Sequence, residues 1–194
     1  MALKNYSKLQ DNAISWLQAK FDFLRDQLIT GRSRMSKNPY KIISEGTRED
    51  SMQFGHMYFF NYDPKHKTKL NYYDRFPLVI PIGSWQKGLI GMNFHYLPPQ
   101  LREALMKKLI GRINLYENTS RTYIDITYND ISPFVRYKEV KPTIHKYDIA
   151  YSSGTFIHIA ADEWNTAIHL PVEDFRKASK SEVWNDSRKI IKAI

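Results

Sequence analysis

In the stretch Asp63-Pro-Lys-His-Lys-Thr-Lys-Leu-Asn-Tyr-Tyr-Asp-Arg75, the cations Lys65, Lys67, Lys69 and Arg75 stand beside the rings of Tyr72 and Tyr73. Cationic side chains neutralise phosphates and ring faces stack on unpaired bases or strand ends, so the mixture can hold nucleic acid without reading its sequence. The plainer alternative is an exposed hairpin whose tyrosines cover a barrel behind it. Lysines alternating with polar residues also keep a sheet edge from pairing with other chains. A second basic stretch, Gly31-Arg-Ser-Arg-Met-Ser-Lys-Asn-Pro-Tyr-Lys41, carries Arg32, Arg34, Lys37 and Lys41 and no acid. It can lie along phosphates, each cation releasing a counterion, or serve as a solvated connector.

Catalytic groupings are weaker. His158, Asp162, Glu163 and His169 could gather near one turn, and imidazoles with carboxylates bind zinc or harder metals, but the spacing matches no tight metal motif. Asp130, Glu139 and Lys141 loosely match nuclease sites in which two carboxylates hold magnesium and a lysine steadies the attacking water. Such a triple arises easily by chance in a chain with 25% charged residues. The eight glycines are scattered, without a phosphate-cradling loop, and no Gly-x-Ser-x-Gly elbow occurs. The expectation is a chain with no catalytic residues, no metal site and no cofactor, and therefore not an enzyme.

Composition points the same way. With 29 Lys and Arg against 20 Asp and Glu, the net charge of +9 attracts polyanions, nucleic acid first among them. Cysteine is absent, which excludes disulfides, thiolate zinc sites and cysteine nucleophiles. No apolar run approaches the roughly 20 residues that cross a bilayer, so no membrane partner is expected. At 194 residues the chain can bury one sizeable core, so one domain with an appendage is expected.

The elements that would position these residues follow from periodicity. Ile14, Leu17, Phe21, Leu24 and Leu28 recur at alternating spacings of three and four between Ser7 and Ile29, one apolar stripe on a helix. That stripe either packs on the chain's own core or docks on a neighbouring subunit. The expected organisation is an N-terminal docking helix over 1–31, a basic arm or linker over 32–55 and a core domain over 56–194.

Within the core, strands are expected at His56–Tyr62, Phe76–Ile82 and Gly88–Tyr96. The prolines of the second suit an edge or barrel rim, and Gly91 marks a bulge or a close approach. Pro98 and Pro99 start a helix that buries Leu101, Ala104, Leu105 and Leu109 and ends at Gly111. Further strands are expected at Arg121–Tyr128, Phe156–Ala160 and Thr166–Leu170, the last two forming a hairpin. Ser179 and Glu182 have capping-box spacing ahead of a closing helix. The fold class is α+β: a small, bent antiparallel sheet or partly open SH3-like barrel, with an N-terminal, a central and a short C-terminal helix.

Four uncommon words run through the chain: Tyr62-Asp-Pro-Lys-His-Lys67, Tyr72-Tyr-Asp-Arg-Phe-Pro-Leu78, Gly91-Met-Asn-Phe-His-Tyr-Leu-Pro-Pro99 and Ala178-Ser-Lys-Ser-Glu-Val-Trp-Asn-Asp-Ser-Arg188. Together they resemble virion proteins of T-even-type tailed bacteriophages, the DNA end protector-like group, over roughly residues 56–190. The resemblance implies a component of the phage particle, assembled in the host cytoplasm and placed at the tail or head-tail junction. It implies contact with the end of the packaged double-stranded DNA, with tail or neck proteins as further partners and several copies in a symmetric assembly. A baseplate or tail-hub subunit without DNA contact is the alternative, and a metal-dependent nuclease a distant third.

Overall fold

A computed structural model describes residues 46–110, 115–118, 121–124, 138–160 and 163–193. The apolar stripe from Ile14 to Leu28, the arm cations Arg32, Arg34 and Lys37, the end of the expected strand at 125–128, and Asp130 and Asp162 lie outside them. The described chain runs β1 (Thr47–Glu49), β2 (Met57–Phe59), β3 (Tyr73–Asp74), β4 (Leu78–Trp85), β5 (Gly88–Asn93), α1 (Pro99–Ile110), β6 (Leu115–Asn118), β7 (Arg121–Ile124), β8 (Ile144–Asp148), β9 (Phe156–Ile159), α2 (Trp164–His169), β10 (Phe175–Arg176) and α3 (Lys180–Lys192).

Six strands form one antiparallel sheet in the order β1-β9-β2-β4-β5-β8. The α+β class holds, but β1 and β8 remain as edges, so the sheet is open and not a barrel. Pairs β6-β7 and β3-β10 stand apart from it. Alternation in β2 and the residue after it divides the aromatic run between two faces. Met57 and Phe59 join Leu78, Ile80, Met92 and Ile157 under α1 and α2, while Tyr58 and Phe60 join Tyr62, Val79, Tyr147 and Phe156 on the other side. Burial on both faces is why this stretch reads as a continuous apolar run.

Several local expectations change. Thr47–Glu49, in the stretch read as an arm, is an edge strand paired with Phe156–His158. Strand β4 lies inside the sheet despite Pro81, because the ladder to β5 shifts register between Pro81 and Gly83. A bulge removes the demand for an amide there. Gly91 sits opposite Pro81, and a side chain at Gly91 would run into Val79, so it marks close packing. The Thr166–Leu170 strand is instead the short helix α2, buried from Trp164 to Ile168. Burial all round erases the periodicity that separates a helix from a strand. Strand β8, where none was expected, pairs with β5 from Gly88 to Met92.

Helix α1 starts at Pro99 as expected, but its buried stripe is Arg102, Leu105, Met106 and Leu109, with Leu101 and Ala104 only partly buried. Helix α3 carries the full capping box: Ser179 Oγ accepts the Glu182 amide at 3.3 Å, and the Glu182 carboxylate accepts the Ser179 amide at 2.8 Å. It docks on the 3₁₀ turn Phe94–Tyr96, where Trp184 Nε1 donates to the His95 carbonyl at 2.9 Å and Ser187 Oγ to the Tyr96 carbonyl at 2.7 Å.

Candidate nucleic-acid interface

The lysine-rich segment is not a β-hairpin. Its ends are joined where the Tyr62 amide donates to the Arg75 carbonyl at 2.9 Å, and between them the chain makes successive tight turns, Lys67 to Pro64 and Lys69 to His66. Proline and polar residues at short spacing favour turns over ladder pairing. The loop is held from across the fold. Lys177, in the left-handed region at φ 69°, donates its ammonium to the Thr68 carbonyl at 3.0 Å and the Leu70 carbonyl at 2.6 Å.

This loop leaves Lys65, Lys67 and Lys69 exposed within five residues of one another. Lys67 pairs with Asp63 at 2.7 Å. Among the described residues no carboxylate pairs with Lys65 or Lys69. Arg75 is drawn away to Asp174 at 2.9 Å, a carboxylate that Arg176 also reaches. Tyr73, in β3, donates its hydroxyl to Asp63 at 3.3 Å. Tyr72 is half-buried, its ring 6.0 Å from that of Tyr96 and edge-on to Phe175.

Tyr72 belongs to the wall of an open cavity of about 350 Å³ between this loop, β8 and α3. Tyr62, Tyr96, His145 and Tyr147 supply further rings, and Lys141 and Lys146 supply cations. Leu70 and Ile190, which also line it, are two of the few large apolar side chains left exposed, at 40% and 41%. The His145 and Tyr96 rings lie 3.8 Å apart between centroids. Burial pulls the His145 imidazole down to about 4, so the ring is neutral at neutral pH. The Pro142 carbonyl can only accept, so Nε2 donates to it at 3.0 Å and Nδ1 is left as an acceptor. Burial likewise pushes the phenols of Tyr62, Tyr96 and Tyr147 up and keeps them protonated. Chemically, this is an aromatic hollow with two lysines on its walls and the Asp74 carboxylate at its base.

A second polar constellation lies beneath the cavity. Asp74 accepts from His95 Nδ1 at 2.7 Å and from Asn93 Nδ2 at 3.1 Å, and Asn93 Nδ2 also donates to the Tyr147 hydroxyl at 3.0 Å. Alongside it the guanidinium of Arg102 is fully buried. It pairs with Glu173, donates to the Leu97, Ile168 and His95 carbonyls, and lies over the Trp184 ring. Burial opposes ionisation of Glu173, yet His95, Arg102 and a Lys180 hydrogen bond outweigh it and hold the carboxyl at about 2. An aspartate orienting a histidine is the arrangement of a general base. Here Asp74 borders the cavity with only 1% of its side chain exposed, and His95 is fully buried with Nε2 sealed and without a partner, so the imidazole has no open face from which to act as a base.

The two weaker groupings weighed above, whose Asp130 and Asp162 lie outside the described residues, are not drawn together by the members that are described. Glu139 bonds Lys108 at 3.0 Å while Lys141 lines the cavity. His158 meets His56 at 3.2 Å, and His169 bonds the Asn165 carbonyl. No group of three or more potential metal ligands occurs among the described residues. The sequence reading missed the far wall of the cavity, Lys141, His145, Lys146 and Tyr147, because only the β5-β8 pairing brings it beside the loop. Tyr62 and Tyr96 had a signal, since both lie in the distinctive words quoted above.

Among known proteins, residues 27–192 match a family model described as the phage T4 terminal DNA protecting protein. No curated protein and no solved structure matches the chain.

Proposed function

The chain belongs to the family of the phage T4 terminal DNA protecting protein, and from that premise we propose that it is a non-enzymatic part of a tailed phage particle that covers the end of double-stranded DNA. The observation that carries this reading is the pairing of an exposed lysine loop, Lys65 to Lys69, with the tyrosine-lined hollow beside it. Lysines on the loop and on the cavity wall hold terminal phosphates, and the rings face what a duplex exposes only at its end, an unstacked base surface. A net charge of +9 steers the protein to DNA over distance. Protection then works by occupancy: an exonuclease needs the same terminal phosphates and bases. We place the protein at the tail or head-tail junction, where the genome end waits, in contact with tail or neck proteins.

The test is an exonuclease challenge. Linear duplex incubated with the purified protein should survive a processive double-strand exonuclease once the ends are saturated, with protection set by the ratio of protein to ends and not by DNA length. Degradation at the uninhibited rate at saturating protein overturns the proposal.

A further inference from the structure

We propose that the cavity between the lysine loop, β8 and α3 is the seat of one unpaired nucleotide from the DNA terminus, its base among the rings and its phosphate on Lys141. This rests on the end-binding reading and adds what is bound there.

Size is the first argument. The hollow holds about 350 Å³, near the small end of the roughly 300 to 1,000 Å³ range of small-molecule sites. A volume of about 350 Å³ suits one nucleotide and is too small for a base pair with both its sugars and phosphates. Ring chemistry is the second. Tyr72, Tyr96 and His145 form a run of neighbouring rings, with centroid separations of 6.0 Å and 3.8 Å and planes inclined by 38° and 31°. Tyr62 and Tyr147, edge-to-face at 5.0 Å and both buried, back this run of rings. Stacking on such surfaces tolerates any base, since each has a π face. The neutral His145 leaves that face uncharged, with Nδ1 free to accept from a base amino group.

Charge and exposure are the third argument. Lys141 and Lys146 both line the hollow; the Lys146 ammonium lies over the Trp85 ring, 5.7 Å from its centre, which leaves Lys141 as the cation for an attached phosphate. Leu70 and Ile190 leave unusual apolar surface exposed at this site, which a base would cover. A terminal nucleotide is the least costly to extract from a duplex, because it stacks on one neighbour only and unstacking costs a few kcal/mol at most positions. An interior nucleotide resists. The seat therefore converts a general affinity for phosphates into a preference for ends, and it withholds from an exonuclease the nucleotide that the enzyme must take first.

The experiment measures binding of the full chain by fluorescence anisotropy to otherwise identical duplexes ending blunt, in a one-nucleotide overhang, or in the same overhang without its base, with closed circles alongside. The overhang that keeps its base should bind about tenfold more tightly than the abasic one. That ratio should fall to within about twofold in Tyr72→Ala, which removes a ring, and in Ile190→Glu, which sets a carboxylate at the exposed lining and leaves the core untouched; circular dichroism confirms folding of both. Base-bearing and abasic overhangs binding alike, or a ratio that survives both substitutions, overturns the seat. If linear duplex still outcompetes circles in that case, end binding stands and only the seat fails. If linear and circular DNA bind alike, the end-binding reading fails and the seat with it.

Discussion

The buried knot around Arg102 and the exposed loop around Lys67 hold similar side chains to opposite purposes. In the knot, Asp74, His95, Arg102 and Glu173 are all sealed from solvent, and the guanidinium is answered by a carboxylate, three carbonyls and a ring. In the loop, Lys65 and Lys69 point into water and Lys67 has one exposed partner. A fully answered charge cannot bind anything new, and it fixes the turn Phe94–Tyr96 and α3 to each other. Unanswered charges do little for stability and are free for phosphates. The grouping that looks most like catalytic machinery is thus structural, and the one that looks like ordinary surface is the binding face proposed above.

The sharpest way to break this contrast is Arg102→Met, which leaves Glu173 buried without its guanidinium and should cost about 3 to 5 kcal/mol in urea unfolding. The double substitution Arg102→Met with Glu173→Leu should cost less than the single one, because no buried carboxylate is then left without its guanidinium. If the double is the worse of the two, the knot contributes net attraction and its description here is wrong.

Acid should also act on the buried side. The His145 value is depressed to about 4 from an unfolded 6.5, so the unfolded chain binds the extra proton between those values. Stability is then full above about pH 6.5 and falls as pH drops toward 4, by up to about 3 kcal/mol. The depressed Glu173 carboxyl adds a second loss as pH falls from its unfolded 4.5 toward 2. Melting temperature followed against pH should show the upper step, and His145→Phe should remove it.

On the exposed side, Lys65→Glu with Lys67→Glu and Lys69→Glu should leave urea stability within about 0.5 kcal/mol per site, yet weaken DNA binding about a hundredfold and lower the salt slope of log affinity by about 2.7, or ~0.9 for each lost phosphate contact. Replacing the helix cap, Ser179→Ala, should cost about 1 kcal/mol of stability and leave the salt slope alone. The smallest effect expected is from Asp63→Asn. It releases Lys67 and should tighten DNA binding by about two- to threefold while leaving the urea midpoint nearly unchanged, since the pair is solvent-screened.

Legibility in the sequence followed the same division. Strands β2, β4, β5 and β9, the Pro99 helix start and the Ser179 capping box are local signals, carried by apolar runs, a proline at a first turn and a hydroxyl three residues from a carboxylate. What failed was nonlocal. Helix α2 is buried on all sides and shows no stripe, so its apolar run reads as a strand. Strand β8, Ile-His-Lys-Tyr-Asp, is polar at an edge and becomes a strand by pairing with β5. Arg102 lies three residues before Leu105 on the core stripe, a position that spacing assigns to an apolar residue; only the buried partners explain a cation there. For the site, one wall was legible as the lysine and tyrosine loop, and the other was not, since folding alone places His145 and Lys146 across from Tyr72.

The measurement that tests the central claim most directly is a competition between linear blunt duplex and closed circles of the same length and sequence for the full chain, repeated across a range of salt. Linear DNA should win at every salt concentration, affinity for it should fall steeply as salt rises, and the three lysine-to-glutamate substitutions should weaken it about a hundredfold. Equal binding to the two forms, or binding untouched by those substitutions, contradicts it.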